Sequence, residues 1–278
     1  MARLESIKRL VRRWLWSIFF FAVLGLVLGA LISIPLISRP NIAIITISGS
    51  ISTQAHTHDI LDMLRYARND DSIKAVVLRI DSPGGKASTI EQVYLDVLRL
   101  RGQKPVVASI GRRGASGGYH IAVASNFIYA QSASQVGSVG AWVSLPDPEE
   151  LDEDILTTGL FKAPGRSRRK AVARLEMIRQ QFVSAVMSQR GDRLKISEEE
   201  LTLAEIYPGV ESLRHGLIDD IGTSSAAIKK AASLARIRNY EVVKLFMQNR
   251  DTSPLDMESL KSQTGLMPIY YYLYFESE

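Results

Sequence analysis

The stretch that decides the fold is Gly111–Asn126, GRRGASGGYHIAVASN, with Ser116 at its centre. It follows Lys104–Ile110, a short apolar run rich in β-branched residues that predicts a buried strand. The apolar run Tyr119–Ala124 comes next and predicts a helix buried on most sides. A strand that turns into a helix through small residues places a serine where backbone N–H groups and the helix dipole can stabilise an oxyanion. The spacing G-x-S-x-G also matches a nucleophile elbow, although ordinary Gly-rich turns show the same string.

A second Gly-rich segment, Ser82–Gly85 (SPGG), follows another buried strand, Ala75–Ile80. Neighbouring strands of a parallel sheet end at the same edge, and α/β proteins bind ligands at that edge. A glycine there lets the backbone approach a ligand closely with its N–H directed into the site. We therefore expect one N–H from this loop and one from Gly117 to form a two-donor oxyanion hole beside Ser116.

The body of the chain alternates strands and helices. Between the two strands named above, Ala87–Arg101 has apolar residues at i, i+3, i+4, i+7 and i+8, which predicts an amphipathic crossover helix. This alternation is typical of βαβ units, so the predicted fold class is α/β with a parallel sheet. The other predicted elements are strands at Asn41–Ile51, Phe127–Ala130, Val139–Val143 and Glu241–Phe246, and helices at His58–Ala67, Arg166–Arg190 and Ser224–Ala235.

The charge of the chain is concentrated at its N-terminus. The 278 residues carry a formal net charge of +5, and residues 1–40 alone hold six Lys or Arg against one Glu, which is also +5. The rest of the chain is therefore neutral overall, which argues against a nucleic-acid-binding surface. The absence of cysteine excludes disulfides, zinc–thiolate sites and cysteine nucleophiles.

The stretch Trp14–Ile37 contains no charged residue over 24 positions. As a helix it would extend about 36 Å, which is enough to cross the roughly 30 Å hydrocarbon core of a bilayer. The basic residues before it place the N-terminus in the cytoplasm by the positive-inside rule. We expect a single-pass anchor in the cell membrane, with the body of the chain outside the cytoplasm. A buried core helix and an unusually long, cleaved signal peptide are the alternatives.

A serine nucleophile needs a general base within hydrogen-bond reach, and the chain has four histidines. Two of them lie in the polar, surface-like segment QAHTHD. His120 follows Ser116 by one helical turn and should point away from its hydroxyl. His215, in LRHGLIDD, has the surroundings of a surface residue near a helix end. A triad of Ser116, Asp192 and His215 would still have the chain order of an α/β-hydrolase, so His215 stays open as a base.

A lysine is the alternative base. Lys162 lies in Thr158–Gly165 (TGLFKAPG) between apolar neighbours. To accept a proton near neutral pH it would need a pKa of about 7 instead of the usual value of about 10.4. Burial in an apolar setting can supply that change, whereas a solvated loop lysine would not show it. The local sequence is compatible with both situations.

Five short motifs occur in order along the chain: SPGG at 82–85, GASGGYHIA at 114–122, VGSVG at 136–140, GLFKAPG at 159–165 and HGLIDDIG at 215–222. With these motifs, residues 41–246 resemble the signal peptide peptidase A family of membrane-bound serine peptidases, the S49 type. The resemblance implies a ClpP/crotonase-like fold of stacked βαβ units, preceded here by the transmembrane helix, and the length fits the short, single-domain class.

The resemblance also implies roles for individual residues. Ser116 falls on the family's nucleophile and Lys162 on its general base, so that a Ser–Lys dyad works without histidine. Gly85 and Gly117 fall on the oxyanion-hole donors, and Ser138 falls on the serine that orients the lysine. No metal or other cofactor is implied. The family degrades leftover signal peptides at the membrane, and its short members form homo-oligomers in which the serine and lysine can come from neighbouring protomers.

We therefore predict three parts: a cytoplasmic basic stub with the membrane anchor at 1–40, a peptidase domain at 41–248 and a C-terminal tail at 249–278. The predicted function is that of a membrane-anchored serine endopeptidase acting on peptides such as signal-peptide remnants. Its rivals are a Ser–His hydrolase using His215 and a catalytically silent membrane scaffold of the same fold. The apolar stretch Met267–Phe275 (MPIYYYLYF) is expected to pack on a neighbouring protomer; a membrane contact or an edge strand are the alternatives.

Overall fold

The computed structural model describes residues 14–26, 28–29, 39–144, 167–246 and 270–273, the last of these as backbone only. The chain divides into two units, Met1–Arg39 and Pro40–Glu278. Lys162 and its motif lie outside the described residues. The other four motifs, Ser116 among them, lie within the described residues.

In the first unit, residues 14–26 and 28–29 form a helix, α1. Its apolar side chains are exposed, including Trp14 at 70% and Phe21 at 67%. Among the residues that the structure describes, no helix is both long enough and apolar enough to cross a membrane. Position 27 and positions 30–37 of the predicted span lie outside those residues, so the anchor stays a prediction.

The second unit contains the remaining helices and all described strands. The strands are β1 (Asn41–Ser48), β2 (Ile73–Ser82), β3 (Gly84–Lys86), β4 (Val106–Ala115), β5 (Phe127–Ala130), β6 (Gln135–Gly137), β7 (Trp142–Val143), β8 (Ile206–Pro208), β9 (Asp220–Ile221), β10 (Glu241–Lys244) and β11 (Tyr270–Leu273). The helices are α2 (Gln54–Asn69), α3 (Ala87–Arg101), α4 (Gly117–Val123), α5 (Arg168–Arg190), α6 (Glu198–Leu201), α7 (Gly209–Arg214) and α8 (Ser224–Leu234).

The main sheet has the strand order β10-β1-β2-β4-β5-β9, and all of these neighbours are parallel. Near its C-terminal end β4 also pairs with β6, which in turn pairs with β8 in antiparallel orientation. A second, smaller sheet has the order β3-β11-β7. The predicted α/β class with a largely parallel sheet is therefore confirmed.

Helices cover both faces of the main sheet, which is why its central strands are largely apolar on both faces. Alternate residues of β1 show this, since successive side chains of a strand point to opposite faces. Ala43, Ile45 and Ile47 belong to the core that packs against α2, α3, α4 and α5. Ile42 and Ile44 belong to the core on the other face, where α8 packs.

Two local predictions differ from the structure. The segment Gly111–Ala115 was expected to be part of the turn before Ser116, but β4 continues through it. The reason is that β4 leaves β5 at Ile110 and gains β6 as a partner at Arg113–Ala115, so its backbone groups stay paired. The single strand expected at Val139–Val143 is limited to Trp142–Val143, which form β7, and the preceding strand β6 ends before that range, at Gly137.

Candidate active site

Ser116 occupies the junction between β4 and α4, as the sequence predicts. Its backbone angles are φ 50° and ψ −120°, a region that costs a non-glycine residue on the order of 1–3 kcal/mol. Two hydrogen bonds hold the strained residue: its N–H donates to the Gly137 carbonyl at 2.8 Å, and its carbonyl accepts from the His120 N–H at 2.9 Å. This is the sharp strand-to-helix turn that a nucleophile elbow requires.

The side chain of Ser116 is enclosed, with the residue only 2% exposed. Within the described part of the chain, no group forms a hydrogen bond with its hydroxyl. The predicted base, Lys162, lies outside that part, so its distance from Ser116 stays untested. What the structure does establish is the set of groups that surround the serine on its glycine-rich side.

The SPGG loop packs directly against the residues that follow Ser116. Ser82 is the register partner of Gly114 across the β2–β4 pair, which brings the loop level with the serine. A Cβ atom added at Gly117 would lie 3.1 Å from Gly84 Cα and 2.7 Å from Ile90 Cγ1. A side chain at Gly117 would therefore push the loop away, and the predicted meeting of the two glycine segments at one sheet edge is confirmed.

The N–H of Gly85 has a defined direction. Ile51 donates its N–H to the Gly84 carbonyl at 2.8 Å, and its own carbonyl accepts from the Lys86 N–H at 3.2 Å. Across a trans peptide the N–H and C=O groups point in opposite directions, and the described residues contain no cis peptide bond. Both the N–H and the carbonyl of Gly85 therefore point away from Ile51. A Cβ atom at Gly85 would collide with the Ile51 carbonyl oxygen, so only glycine fits.

Ser82 holds this loop in place, a role that the sequence analysis did not assign. Its fully buried hydroxyl donates to the Gly49 carbonyl at 2.6 Å and accepts from the Gly84 N–H at 3.1 Å. Thr89 adds a further bond from its hydroxyl to the Ile51 carbonyl at 2.8 Å. A serine two residues before a glycine is a known turn-stabilising pattern, and this is the signal that could have identified Ser82.

Ser138 lies at the same sheet edge as Ser116, because the residue before it, Gly137, is hydrogen-bonded to Ser116. The Gly137 carbonyl accepts the hydrogen bond from the Ser116 N–H, and Gly137 is the register partner of Ala115 across the β4–β6 pair. Ser138 itself has φ 54° and donates its N–H to the Glu205 carbonyl at 2.7 Å. The structure thus brings together four of the five predicted site residues, and the role of Ser138 toward the lysine stays a prediction.

His120 is part of the core. It is 4% exposed and stacks on Phe182 with ring centroids 4.4 Å apart, with Tyr94 at 4.6 Å. Burial lowers the pKa of His120 to about 3, so the ring is neutral at neutral pH. The prediction that His120 does not serve as the base of Ser116 agrees with this packing.

His215 lies just beyond the end of α7, as predicted. Its ring contacts Glu211 at 3.6 Å and Tyr207, whose ring centroid is 4.6 Å away. Within the described residues neither Ser116 nor Asp192 forms a hydrogen bond with His215. The geometry therefore offers no support for the Ser–Asp–His triad.

The motif HGLIDDIG contributes a buried ion pair. Asp219 accepts hydrogen bonds from both terminal nitrogens of Arg190, at 3.0 and 2.9 Å, and from the Ile128 N–H at 2.7 Å. Arg190 ends α5 and is only 3% exposed. Tyr119, on α4, donates its hydroxyl to the Leu217 carbonyl at 2.7 Å. The motif therefore fixes α4 and α5 to the sheet.

A parallel α/β sheet that presents a strained serine at a glycine-lined edge is the arrangement of serine hydrolases, and this is the class that the fold and the site define. Comparison with known proteins is more specific. The sequence profile of Peptidase family S49 matches residues 99–238, which is 140 of the 278 residues. The chain belongs to peptidase family S49, and the resemblance inferred from its motifs is confirmed.

Individual relatives agree with this assignment. Protease 4 of Haemophilus influenzae is 31% identical over 229 residues, which cover 74% of this chain and 37% of that protein. The chloroplastic serine protease SPPA of Arabidopsis thaliana is 27% identical over 241 residues, which cover 78% of this chain and 36% of that protein. The match thus spans little more than a third of each of these longer relatives.

Two solved structures of the 1510-N membrane-bound stomatin-specific protease share the fold. One, a Lys-to-Ala variant in complex with a substrate peptide, has a TM-score of 0.54 and 18% identity and covers 77% of this chain and 96% of its own. The other, a Ser-to-Ala variant, has a TM-score of 0.53 and 18% identity and covers 76% of this chain and all of its own. At this identity the likeness shows the fold alone.

Proposed function

We propose that the protein is a membrane-anchored serine endopeptidase in which Ser116 is the nucleophile and Lys162 the general base. The observation that carries the proposal is the position of Ser116, held at φ 50° between β4 and α4 beside a loop whose Gly85 N–H points away from Ile51. Membership of a peptidase family supports the same reaction.

In the proposed reaction the Ser116 oxygen attacks the carbonyl carbon of the scissile peptide bond while Lys162 takes the hydroxyl proton. The N–H groups of Gly85 and Gly117 stabilise the oxyanion, and the loss of one such donor typically costs 10²–10³ in rate. The lysine then returns the proton to the departing amine, leaving an ester on Ser116. Water attacks this ester and releases the new carboxylate.

Ser138 is proposed to orient the lysine through a hydrogen bond. Support for the Ser–Lys pair comes from the stomatin-specific protease, where a serine and a lysine were the residues replaced and the lysine variant holds a substrate peptide. A neutral lysine is required for proton transfer, and an apolar setting such as GLFKAPG favours the neutral form. His215 is the rival base, and its contacts with Glu211 and Tyr207 do not favour it.

The proposed place of action is the outer side of the cell membrane, with the N-terminus in the cytoplasm. Support comes from the charge-free stretch Trp14–Ile37, the basic residues before it, and the exposed apolar side chains of α1. The proposed substrates are small apolar peptides such as signal-peptide remnants. We further propose a homo-oligomer, because the short members of the family that the motifs resemble assemble in this way.

The test is cleavage of an unstructured apolar peptide by the full-length chain in detergent, with each sample sized before the assay. We expect Ser116→Ala and Lys162→Ala each to lower kcat by at least about 10³-fold. The matched controls are Ser125→Ala, a buried serine after α4, and Lys195→Ala, whose ammonium bonds only the Asp192 carbonyl among the described groups. Both controls should keep kcat within about twofold, the scale of a surface or isolated change.

Each contrary result points to a different rival. Full activity of Lys162→Ala would remove the lysine from the reaction, and His215→Ala would then be the next variant to measure. An inert wild-type protein in correctly sized fractions would favour the scaffold function instead. A serine-directed fluorophosphonate probe that still labels Ser116→Ala would show that the nucleophile lies elsewhere.

A further inference from the structure

A groove runs between α3 and α5, the two helices that pack against α4. Its volume is about 480 Å³, and ligand sites in proteins commonly measure about 300–1,000 Å³. The lining includes the buried His120, whose backbone N–H donates to the Ser116 carbonyl at 2.9 Å. A molecule in the groove would therefore touch the helix that begins directly after the proposed nucleophile.

The two walls of the groove differ in chemistry. On the α3 side Tyr94 and Leu95 present apolar surface, and Leu95 is 45% exposed. On the α5 side the lining has amide and hydroxyl groups such as those of Gln181 and Ser184, and residues 180–189 include no charged side chain. Amides and hydroxyls can bond the N–H and C=O groups of a peptide backbone, while an apolar wall accepts its side chains. An acyl chain would instead bury the polar wall without partners.

The two ends of the groove differ in charge. Glu91 lies at one end and makes no ion pair with any group that the structure describes. Toward the other end, Arg101 follows Tyr94 by seven residues, on the same side of α3. It is partly buried, and in the described part of the chain no carboxylate pairs with it. Burial lowers the pKa of the Arg101 guanidinium, and the nearby charge of Arg193 lowers it further. An anion at this end would supply the missing counter-charge.

The separation of the two charges selects the length of the occupant. Glu91 and Arg101 are ten residues apart on α3, which is about 15 Å at a rise of 1.5 Å per residue. An extended chain rises about 3.3 Å per residue, so about five residues cover this distance. A peptide of that length would place its ammonium group near Glu91 and its carboxylate near Arg101.

We propose that the groove between α3 and α5 binds a short apolar peptide with free termini, extended and about five residues long. Such peptides are products of the proposed cleavage, so the inference rests on the proposed function for the source of its ligand. Bound there, a product contacts the helix that positions Ser116. Residues Tyr270–Leu273 were predicted to pack on a neighbouring protomer, but the structure pairs them with β3 and β7 of their own chain, so their backbone lies outside the groove.

The test is calorimetric titration of the full-length chain carrying Ser116→Ala, so that the peptide is not cut. The probe is the pentapeptide Ala-Leu-Ala-Leu-Ala, prepared with a free C-terminal carboxylate and as the C-terminal amide. We expect the acid to bind about fivefold more tightly than the amide, the scale of one partly exposed ion pair. Arg101→Gln should abolish this difference by weakening the acid alone. The matched control Arg99→Gln, at an exposed arginine whose partner is Asp96, should keep it.

A second pair of variants tests the location. Ser184→Trp places an indole in the groove and should weaken binding of the acid by at least about tenfold, because the peptide and the ring cannot share the space. Met187→Trp, three residues later at another exposed position of α5, is the control and should bind like the parent. Circular dichroism and size-exclusion chromatography of each variant check its fold and its oligomeric state.

Three results would overturn the inference. An acid-to-amide difference that persists in Arg101→Gln would show that this arginine does not hold the carboxylate. An unchanged Kd in folded Ser184→Trp would place the peptide elsewhere, for instance at Ser116. Loss of an oligomer in Ser184→Trp, in a protein whose parent binds neither peptide, would show that a second copy of the chain covers the groove. No turnover is measured, so failure of this inference is distinguishable from failure of the peptidase proposal, which the cleavage assay tests.

Discussion

Replacing Ser82 with alanine is the sharpest test of how the oxyanion loop is held. The hydroxyl of Ser82 satisfies two backbone groups: the N–H of Gly84, which is buried together with Ser82, and the carbonyl of Gly49, which belongs to an exposed residue. The substitution removes one oxygen atom and leaves both groups without this partner. Since Gly84 precedes the proposed oxyanion donor Gly85, the change affects stability and catalysis together.

The magnitude follows from the buried bond to the Gly84 N–H, since the Gly49 carbonyl belongs to an exposed residue that water can reach. A buried polar group left unpaired costs about 1–3 kcal/mol, so Ser82→Ala should lower the free energy of unfolding by about that amount. For a chain of this size that corresponds to a decrease in Tm on the order of 5 °C. Complete loss of an oxyanion donor costs 10²–10³ in rate, so a displaced Gly85 N–H should lower kcat by about 10–100-fold.

Ser134→Ala is the matched control for the stability effect. Its buried hydroxyl also donates to a glycine carbonyl, that of Gly111 at 2.5 Å, and accepts from a backbone N–H, that of Gln131 at 2.9 Å. We expect both variants to lose similar stability in thermal unfolding, while only Ser82→Ala loses kcat on the apolar peptide. Equal kcat values for the two variants would refute the assignment of Ser82 as a positioning residue, and so would a Ser82→Ala protein that unfolds at the wild-type Tm.

Two further predictions concern buried charged and titratable groups. Asp219→Ala leaves the guanidinium of Arg190 buried without its carboxylate, so it should lower the free energy of unfolding, measured with urea, by about 3–5 kcal/mol. The control is Asp220→Ala at the exposed neighbouring position, which should lower it by less than about 1 kcal/mol. Equal losses of stability in the two variants would contradict the buried pair. His120 has a folded-state pKa of about 3, below the unfolded value of about 6.5, so the unfolded chain binds the extra proton between these values and stability is lost as pH falls below 6.5. His120→Leu should therefore reduce the slope of the unfolding free energy against pH by about 1.4 kcal/mol per pH unit between pH 6 and 4. The control His58→Leu, at an exposed position, should leave that slope unchanged. An unchanged slope in both variants would contradict the prediction.

The parts of the site that could be predicted are those encoded over short distances. The β-branched run before Ser116, the small residues around it and the apolar run after it determine a strand, a turn and a helix locally. The meeting of the SPGG loop with this turn was also predictable, because parallel neighbouring strands end at one edge. The extent of β4 was not, since it depends on pairing with β6, a strand only three residues long.

The features that were missed depend on contacts between distant parts of the chain. Ser82 bonds to Gly49, 33 residues earlier, and Arg190 bonds to Asp219, 29 residues later. No periodicity in the sequence marks either pair. Lys162 rests on the resemblance of one motif and stays a prediction.

The backbone of Ser116 has a consequence for protein engineering. Its angles, φ 50° and ψ −120°, are those of the first central residue of a type II′ turn, a position that glycine occupies without steric penalty. Replacing the serine with glycine would therefore relax the chain while removing the reactive oxygen. Selection for thermal stability alone therefore favours glycine over the serine nucleophile. A stabilisation programme that ranks substitutions by folding energy will tend to replace Ser116 and abolish activity. Ser116 must be held fixed in any such design.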